Sequence, residues 1–410
     1  MKTIFITLLT LLCVQCTRHP QLSTEQKLED FDYLFQTLKE NYPYFGIAKR
    51  QHGVDWISFE DDFREQISNT TNDPEFLRAI QSFIQLLQCS RLTILVDIGW
   101  MLDVYREDVE RYEKWVEVLE KSIEQSIYWQ PIWQPIWWEY LEENHGLSRE
   151  EFVRQWQEQQ EIRQQEQAQT ENFSGLSLVE NKIAYMRFGS FMYDNVANDS
   201  VYIASFLEQI QDYEYLIIDV QDNWGGSEHY WRSHIVGRMV DSPIYFPVHQ
   251  VFRNGTLNRH FFPSLFERIP IATKENAIFP NLPCEILDGS FHILSGSVTI
   301  VPNNPIPFNG EIFLLVSERI FSTTESFAKF SKATGWATVV GVRTGGTGGG
   351  SEPVLIRLPN SGIIIRHPGG VGLNPDGSFN SETGTIPDIE IIAENSEQRL
   401  QKLIEYIKSR

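Results

Sequence analysis

Two short segments of this chain carry residues that can do acyl chemistry, and each follows an apolar run. The first is Asp219-Val220-Gln221-Asp222-Asn223-Trp224-Gly225-Gly226-Ser227. The run from Tyr215 to Val220 before it is almost continuously apolar, as a strand buried on both faces requires. The double glycine permits unusual backbone angles and close approach of another chain. Exposed N–H groups at such a turn can hold a developing oxyanion, although the same turn can also serve packing alone. The second segment is Val316-Ser317-Glu318-Arg319-Ile320-Phe321-Ser322-Thr323-Thr324-Glu325-Ser326-Phe327. Here a strand gives way to a helix beginning near Thr323. The oxygen of Ser322 then lies at a helix N-terminus, where free N–H groups and partial positive charge stabilise an alkoxide or oxyanion. The same Ser-x-x-Glu spacing also fits a capping box, with Ser322 as a plain N-cap and Glu325 reaching back to it.

The elements that must position these segments follow from periodicity. Leu28, Phe31, Leu34, Phe35 and Leu38 recur at helical spacing after Ser23 and Thr24. The helix is broken at Asn41-Tyr42-Pro43, because proline disfavours helix before it. Further helices are predicted over about 56–68 and 74–88, and a short strand over Leu92 to Val96. Residues 103–125 are charged and helical in pattern. Trp129-Gln130-Pro131-Ile132-Trp133-Gln134-Pro135-Ile136-Trp137 has prolines four apart, which exclude a regular helix. Its tryptophans suit either a wedge packed on the body or an exposed aromatic patch. Residues 155–169 are rich in Gln and Glu and read as a solvated helix end or linker. From residue 178 strands and helices alternate: strands over 183–188, 215–220, 312–316 and 336–341, and helices over 200–211 and 324–334. That alternation argues for an α/β core. Residues 354–366 read as a hairpin around Pro359-Asn360-Ser361-Gly362.

The composition excludes several function classes. A formal net charge of -21 gives a surface that repels phosphate backbones, so nucleic acid is not an expected partner. With 41% hydrophobic residues in 410, the chain can build a large core of two or three structural units. Lys2 followed by the apolar run Ile4 to Val14 reads as a secretory signal over residues 1–16, too short to span a bilayer. Cys16 sits where a lipid-modified chain would be cleaved and acylated, although Gln15 is a poor residue before it, so membrane anchoring through Cys16 stays open. The expected location is exported, in the periplasm or at the cell surface. Cys89 and Cys284 can pair in an oxidising compartment or stand as two separate buried thiols. There is no metal-ligand spacing, and no cofactor is implied.

Taken in order, these motifs resemble the tail-specific (C-terminal processing) protease family over about residues 178–392. Asp219, Asn223 and Gly225-Gly226 match its strand-to-Gly-Gly element. Ser322-Thr323-Thr324-Glu325 matches its nucleophile segment, Trp336 to Gly341 its following strand, and Gly384-Thr385-Ile386-Pro387-Asp388 its closing element. Asn41 to Phe45 and Gly53 to Trp56 look like the N-terminal helices of exported members. The resemblance implies a crotonase-like/ClpP-like α/β (α+β) catalytic body with β-extensions after an N-terminal helical region. The expected organisation is a signal over 1–16, a helical region over 17–99, a Trp/Gln-rich insert or linker over 100–177 and a catalytic domain over 178–410.

The resemblance further implies a serine-type endopeptidase acting on extended or unfolded peptide. Ser322 would be the nucleophile, Gly225, Gly226 and Thr323 the oxyanion donors, and Glu382 the group that orients the base. The processing branch takes its base from a lysine on the loop after Gly341. Thr347 stands in that place, and a threonine cannot act as the base. The tricorn-core-like branch uses a histidine, and Arg91 stands in its place; a guanidinium stays protonated. The chain is closer to this second branch. His229 and His367 are candidate replacement bases, and Arg91 and Arg343 candidates for binding a substrate carboxylate. A catalytically degenerate protein that binds peptide or another polymer is the alternative.

Overall fold

The computed structural model describes residues 21–95, 98–106, 108–125, 172–348 and 350–410, together with 151 and 154. The expected signal, the Trp129–Trp137 repeat and the Gln-rich stretch lie outside these. The first helix, α1 (Thr24–Asn41), opens on a complete capping box: Gln26 N–H donates to the Ser23 hydroxyl, and Ser23 N–H donates to the Gln26 side chain. It ends where Tyr42-Pro43 prevents continuation. Helices α2 (Phe45–His52), α3 (Glu60–Ser68) and α4 (Asp73–Gln85) complete the N-terminal bundle. Phe31, Phe35, Trp56 and Phe83 interlock at its centre.

This bundle does not close on itself. Its cluster continues into Ile356 and Ile365, on a hairpin whose strands are Pro353–Arg357 and Ile364–Pro368, and into Leu373. Asp30, buried within α1, accepts from the backbone N–H groups of Asn360 (2.7 Å) and Ser361 (2.8 Å) at the tip of that hairpin. Burial raises the Asp30 pKa, and these hydrogen bonds oppose the rise. Helices α5 (Ile98–Arg106) and α6 (Val109–Gln125) form a second helical layer. Tyr105, Trp115 and Leu119 share a cluster with Val354 and Ile364.

The body is a six-stranded sheet in the order β12-β8-β7-β4-β3-β2. Its strands are β2 (Phe173–Val179), β3 (Ile183–Phe188), β4 (Tyr215–Asp219), β7 (Glu311–Val316), β8 (Thr338–Gly341) and β12 (Ile389–Glu390). All neighbours are parallel except β2 and β3. Helices cover both faces. Helix α7 (Val196–Gln209) and helix α8 (Thr323–Thr334) pack Ile203, Leu207, Phe327 and Phe330 on one side. Helix α9 (Ser396–Lys408) packs Leu403, Ile404 and Ile407 on the other. Leu216, Ile217 and Ile218 are therefore inaccessible, which explains why β4 shows no alternation.

Two three-stranded sheets extend from this body. One joins β1 (Thr93–Ile94), β10 (Ile364–Pro368) and β9 (Pro353–Arg357). The other joins β11 (Gly370–Leu373), β5 (Ile244–Arg253) and β6 (Phe291–Ile300). The long β5–β6 ribbon has no counterpart in the elements predicted from sequence. Cys89 and Cys284 are both free, and Cys284 is exposed, so the picture of two buried thiols does not hold there. Among the described residues no helix is long and apolar enough to cross a membrane.

Candidate active site

Ser322 stands at the N-cap of α8 with φ 56° and ψ −117°, a region costly for any residue with a side chain. Its side chain makes no capping hydrogen bond. Glu325, its would-be partner, is fully buried and turned elsewhere: Oε1 accepts from Asn380 Nδ2 (2.8 Å) and Thr385 Oγ1 (2.6 Å). The capping box suggested by the spacing does not form. Strain at Ser322 is held in place by the neighbouring loop. A Cβ on Gly225 would stand 2.8 Å from the Phe321 carbonyl oxygen and 3.0 Å from Ser322 Cβ, so only glycine allows the two segments to meet.

Asn223 fixes that meeting. It is fully buried, and its Oδ1 accepts from Gly225 N–H (2.9 Å) and from the Thr324 hydroxyl (2.6 Å), while its Nδ2 donates to the Phe188 carbonyl (3.2 Å). The Thr323 hydroxyl adds a bond to the Gly226 carbonyl (2.8 Å). The Gly225 amide is already occupied by Asn223, whereas the amides of Gly226 and Thr323 make no hydrogen bond among the described residues. Both of these residues line the same cavity as Ser322.

That cavity holds about 630 Å³. It is lined by Ser322, Thr323 and Ser326 at the start of α8, by Phe246, Val248, Gln250 and Val298 from the β5–β6 ribbon, and by Arg111 and Tyr112 from α6. For a chain of net charge -21 the lining is rich in cations: Arg91, Arg111, Arg232 and Lys329 against Glu228 and Glu352. Arg232 pairs with Glu228, and Glu352 accepts from the Tyr105 hydroxyl (2.8 Å).

The structure sorts the other expected site residues. Arg91 is in the cavity. It donates to the Thr347 carbonyl (2.6 Å) and lies over the Phe321 ring at 5.6 Å, so it ties the glycine-rich loop to the segment before Ser322. His229 also lines the cavity, but its Nδ1 faces the Ser233 hydroxyl (3.0 Å) and its Nε2 faces His234 Nε2 (3.3 Å). It makes no hydrogen bond to Ser322, whose hydroxyl has none among the described residues.

Four of the expected residues lie outside the cavity lining: Gly225, whose amide Asn223 holds, and three more distant ones. Arg343 is exposed. His367 is buried in β10 with Nδ1 against the Pro368 carbonyl (3.0 Å), and burial pushes its imidazole down to about 4. Glu382 meets Arg50 of α2 in a fork-to-fork pair at 2.8 Å on both arms, and Arg50 also contacts Glu285. Its position therefore clamps the helical bundle to the sheet body, away from the lining of the cavity.

Sequence reasoning missed Lys329, Ser326 and the ribbon residues. For the first two a signal existed, since Ser322, Ser326 and Lys329 fall at i, i+4 and i+7. For the ribbon there was none, because its contribution depends on where a hairpin folds in space.

These features agree with comparison to known proteins. The model for peptidase family S41 matches residues 182–391, just over half of the chain. The chain belongs to that family, a family of serine-type peptidases. Among solved structures, it is similar to a protein assigned as a peptidase from Parabacteroides merdae ATCC 43184, with 18% identity, a TM-score of 0.56, and 93% of this chain and 96% of that one covered. It is also similar to mature CPAF, with 13% identity, a TM-score of 0.53, and 94% and 96% covered. At these identities the likeness concerns the fold, and it extends through the helical region as well as the family segment.

Proposed function

We propose that this chain is an exported serine-type endopeptidase that cleaves extended or unfolded peptide, with Ser322 as nucleophile. The observation that carries this reading is the strained Ser322 at the start of α8, opening into a cavity beside two unoccupied amides, those of Gly226 and Thr323. Attack by the Ser322 oxygen on a scissile carbonyl would place negative charge where these N–H groups and the helix N-terminus point. The absence of a lysine at Thr347 and the presence of Arg91 in the cavity support placement nearer the tricorn-core-like branch. Arg91 also suits recognition of a substrate carboxylate, since its guanidinium reaches the cavity while anchored at Thr347. Export rests on the Lys2 to Val14 pattern, and anchoring through a lipid on Cys16 remains part of the same proposal.

The test is digestion of a reduced, unfolded protein, beside the Ser322→Ala variant. Peptide products from the parent and none from the variant are expected. A specific observation favours a second reading, a peptide-binding protein: among the described residues no side chain hydrogen-bonds to the Ser322 hydroxyl. Folded parent protein that retains unfolded peptide without cutting it would establish that second reading and remove the first.

A further inference from the structure

We infer that Lys329 is the proton acceptor for Ser322, reached through the Ser326 hydroxyl. This rests on the peptidase reading above and supplies the base that reading lacks. Ser326 and Lys329 stand at i and i+3 on one face of α8, and both line the same cavity as Ser322 at the N-cap of that helix. Lys329 is four-carbon-stemmed, and helical side chains lean toward the N-terminus. Its stem is long enough to span the roughly 4.5 Å of helix rise that separates it from Ser326.

The surroundings of Lys329 suit an amine that can be neutral. It is buried, and its Nζ donates to the Leu373 carbonyl (2.8 Å). No carboxylate lies within ion-pair distance of it among the described residues. The charged and titratable groups facing it are Glu325 on its own helix, Glu228 from the Gly-Gly segment and His249 from β5. Burial outweighs the two carboxylates and pushes its ammonium down to about 8. A neutral amine keeps an N–H for Leu373 and a lone pair for an incoming proton. The Ser326 hydroxyl makes no hydrogen bond among the described residues, so nothing competes for it.

The transfer balances without any co-reactant. As Ser322 Oγ bonds to the substrate carbonyl carbon, its proton passes to Ser326 Oγ, and the Ser326 proton passes to the Lys329 lone pair. The carbonyl π pair moves to oxygen, facing Gly226 and Thr323. When the tetrahedral intermediate collapses, the C–N bond breaks and the leaving nitrogen takes a proton back along the same relay. Water then repeats the sequence to release the acyl group.

The experiment is the rate of fluorophosphonate labelling at Ser322 between pH 5 and 10, for the parent, Ser326→Ala and Lys329→Met. The parent rate is expected to rise with pH through a midpoint near 8, as the amine loses its proton. Both variants are expected to lose about 100-fold or more and to lose that midpoint. Should Lys329→Met fail to fold, Ser326→Ala and the parent profile decide the matter, because that alanine removes no hydrogen bond seen in the structure. Labelling at the parent rate in folded Ser326→Ala overturns the relay while leaving Ser322 as nucleophile. So does a pH midpoint that disappears in His229→Gln but survives in Lys329→Met. No labelling of the folded parent overturns both the relay and the peptidase reading.

Discussion

Asn223 offers the sharpest test of how the site is built. Replacing it with alanine removes three hydrogen bonds at a fully buried position: those from Gly225 N–H, from the Thr324 hydroxyl and to the Phe188 carbonyl. Each partner is left buried, so each loss costs about 1 kcal/mol or somewhat more. The small void adds to this, and the expected destabilisation is about 3–4 kcal/mol. Urea unfolding followed by tryptophan fluorescence would read it as a lowered midpoint with an unchanged slope. The same change frees the Gly225 loop from the first turn of α8. Ser322 and the Gly226 amide would then lose their fixed separation, and a displacement near 1 Å can cost about 100-fold in rate. Fluorophosphonate labelling of the folded fraction should fall accordingly. A loss of less than about 1 kcal/mol with labelling intact would refute the claim that Asn223 pins the two segments together.

Two further predictions concern residues outside the cavity. Glu382→Gln should lower the urea midpoint by about 1 kcal/mol in stability, because Arg50 is partly exposed and the pair is screened by water. Labelling of folded Glu382→Gln should stay within about two-fold of the parent, and a 100-fold drop with an unchanged midpoint would instead return Glu382 to the catalytic apparatus. For His367 the folded value is depressed to about 4 against an ordinary 6.5, so between these the unfolded chain binds more protons than the native one. Stability from this group is therefore complete above pH 6.5 and is lost as pH falls toward 4, by about 3 kcal/mol. The difference in unfolding free energy between the parent and His367→Gln, followed from pH 7 to 4, should shrink by that amount. A flat difference would contradict it.

The sequence by itself determined the family and the order of the central strands' apolar runs, and it singled out the segment around Ser322. These are local properties: a strand buried on both faces must be apolar along its length, and a glycine pair after it restricts what the turn can do. Spacing alone could not decide whether Ser322 caps its helix. Only the fold draws Glu325 away to Asn380 and Thr385 and forces Ser322 to a positive φ against Gly225. The fate of Glu382 was likewise invisible, because its partner Arg50 lies far away in the chain and is brought to it by packing of the helical bundle. His367 and Lys329 show the same point from opposite sides. Both are single titratable residues in sequence, yet one is enclosed in β10 away from the cavity and the other lines it beside Ser322 and Ser326. Burial and direction are set by long-range contacts, and those decide which ionisable groups share the cavity with Ser322.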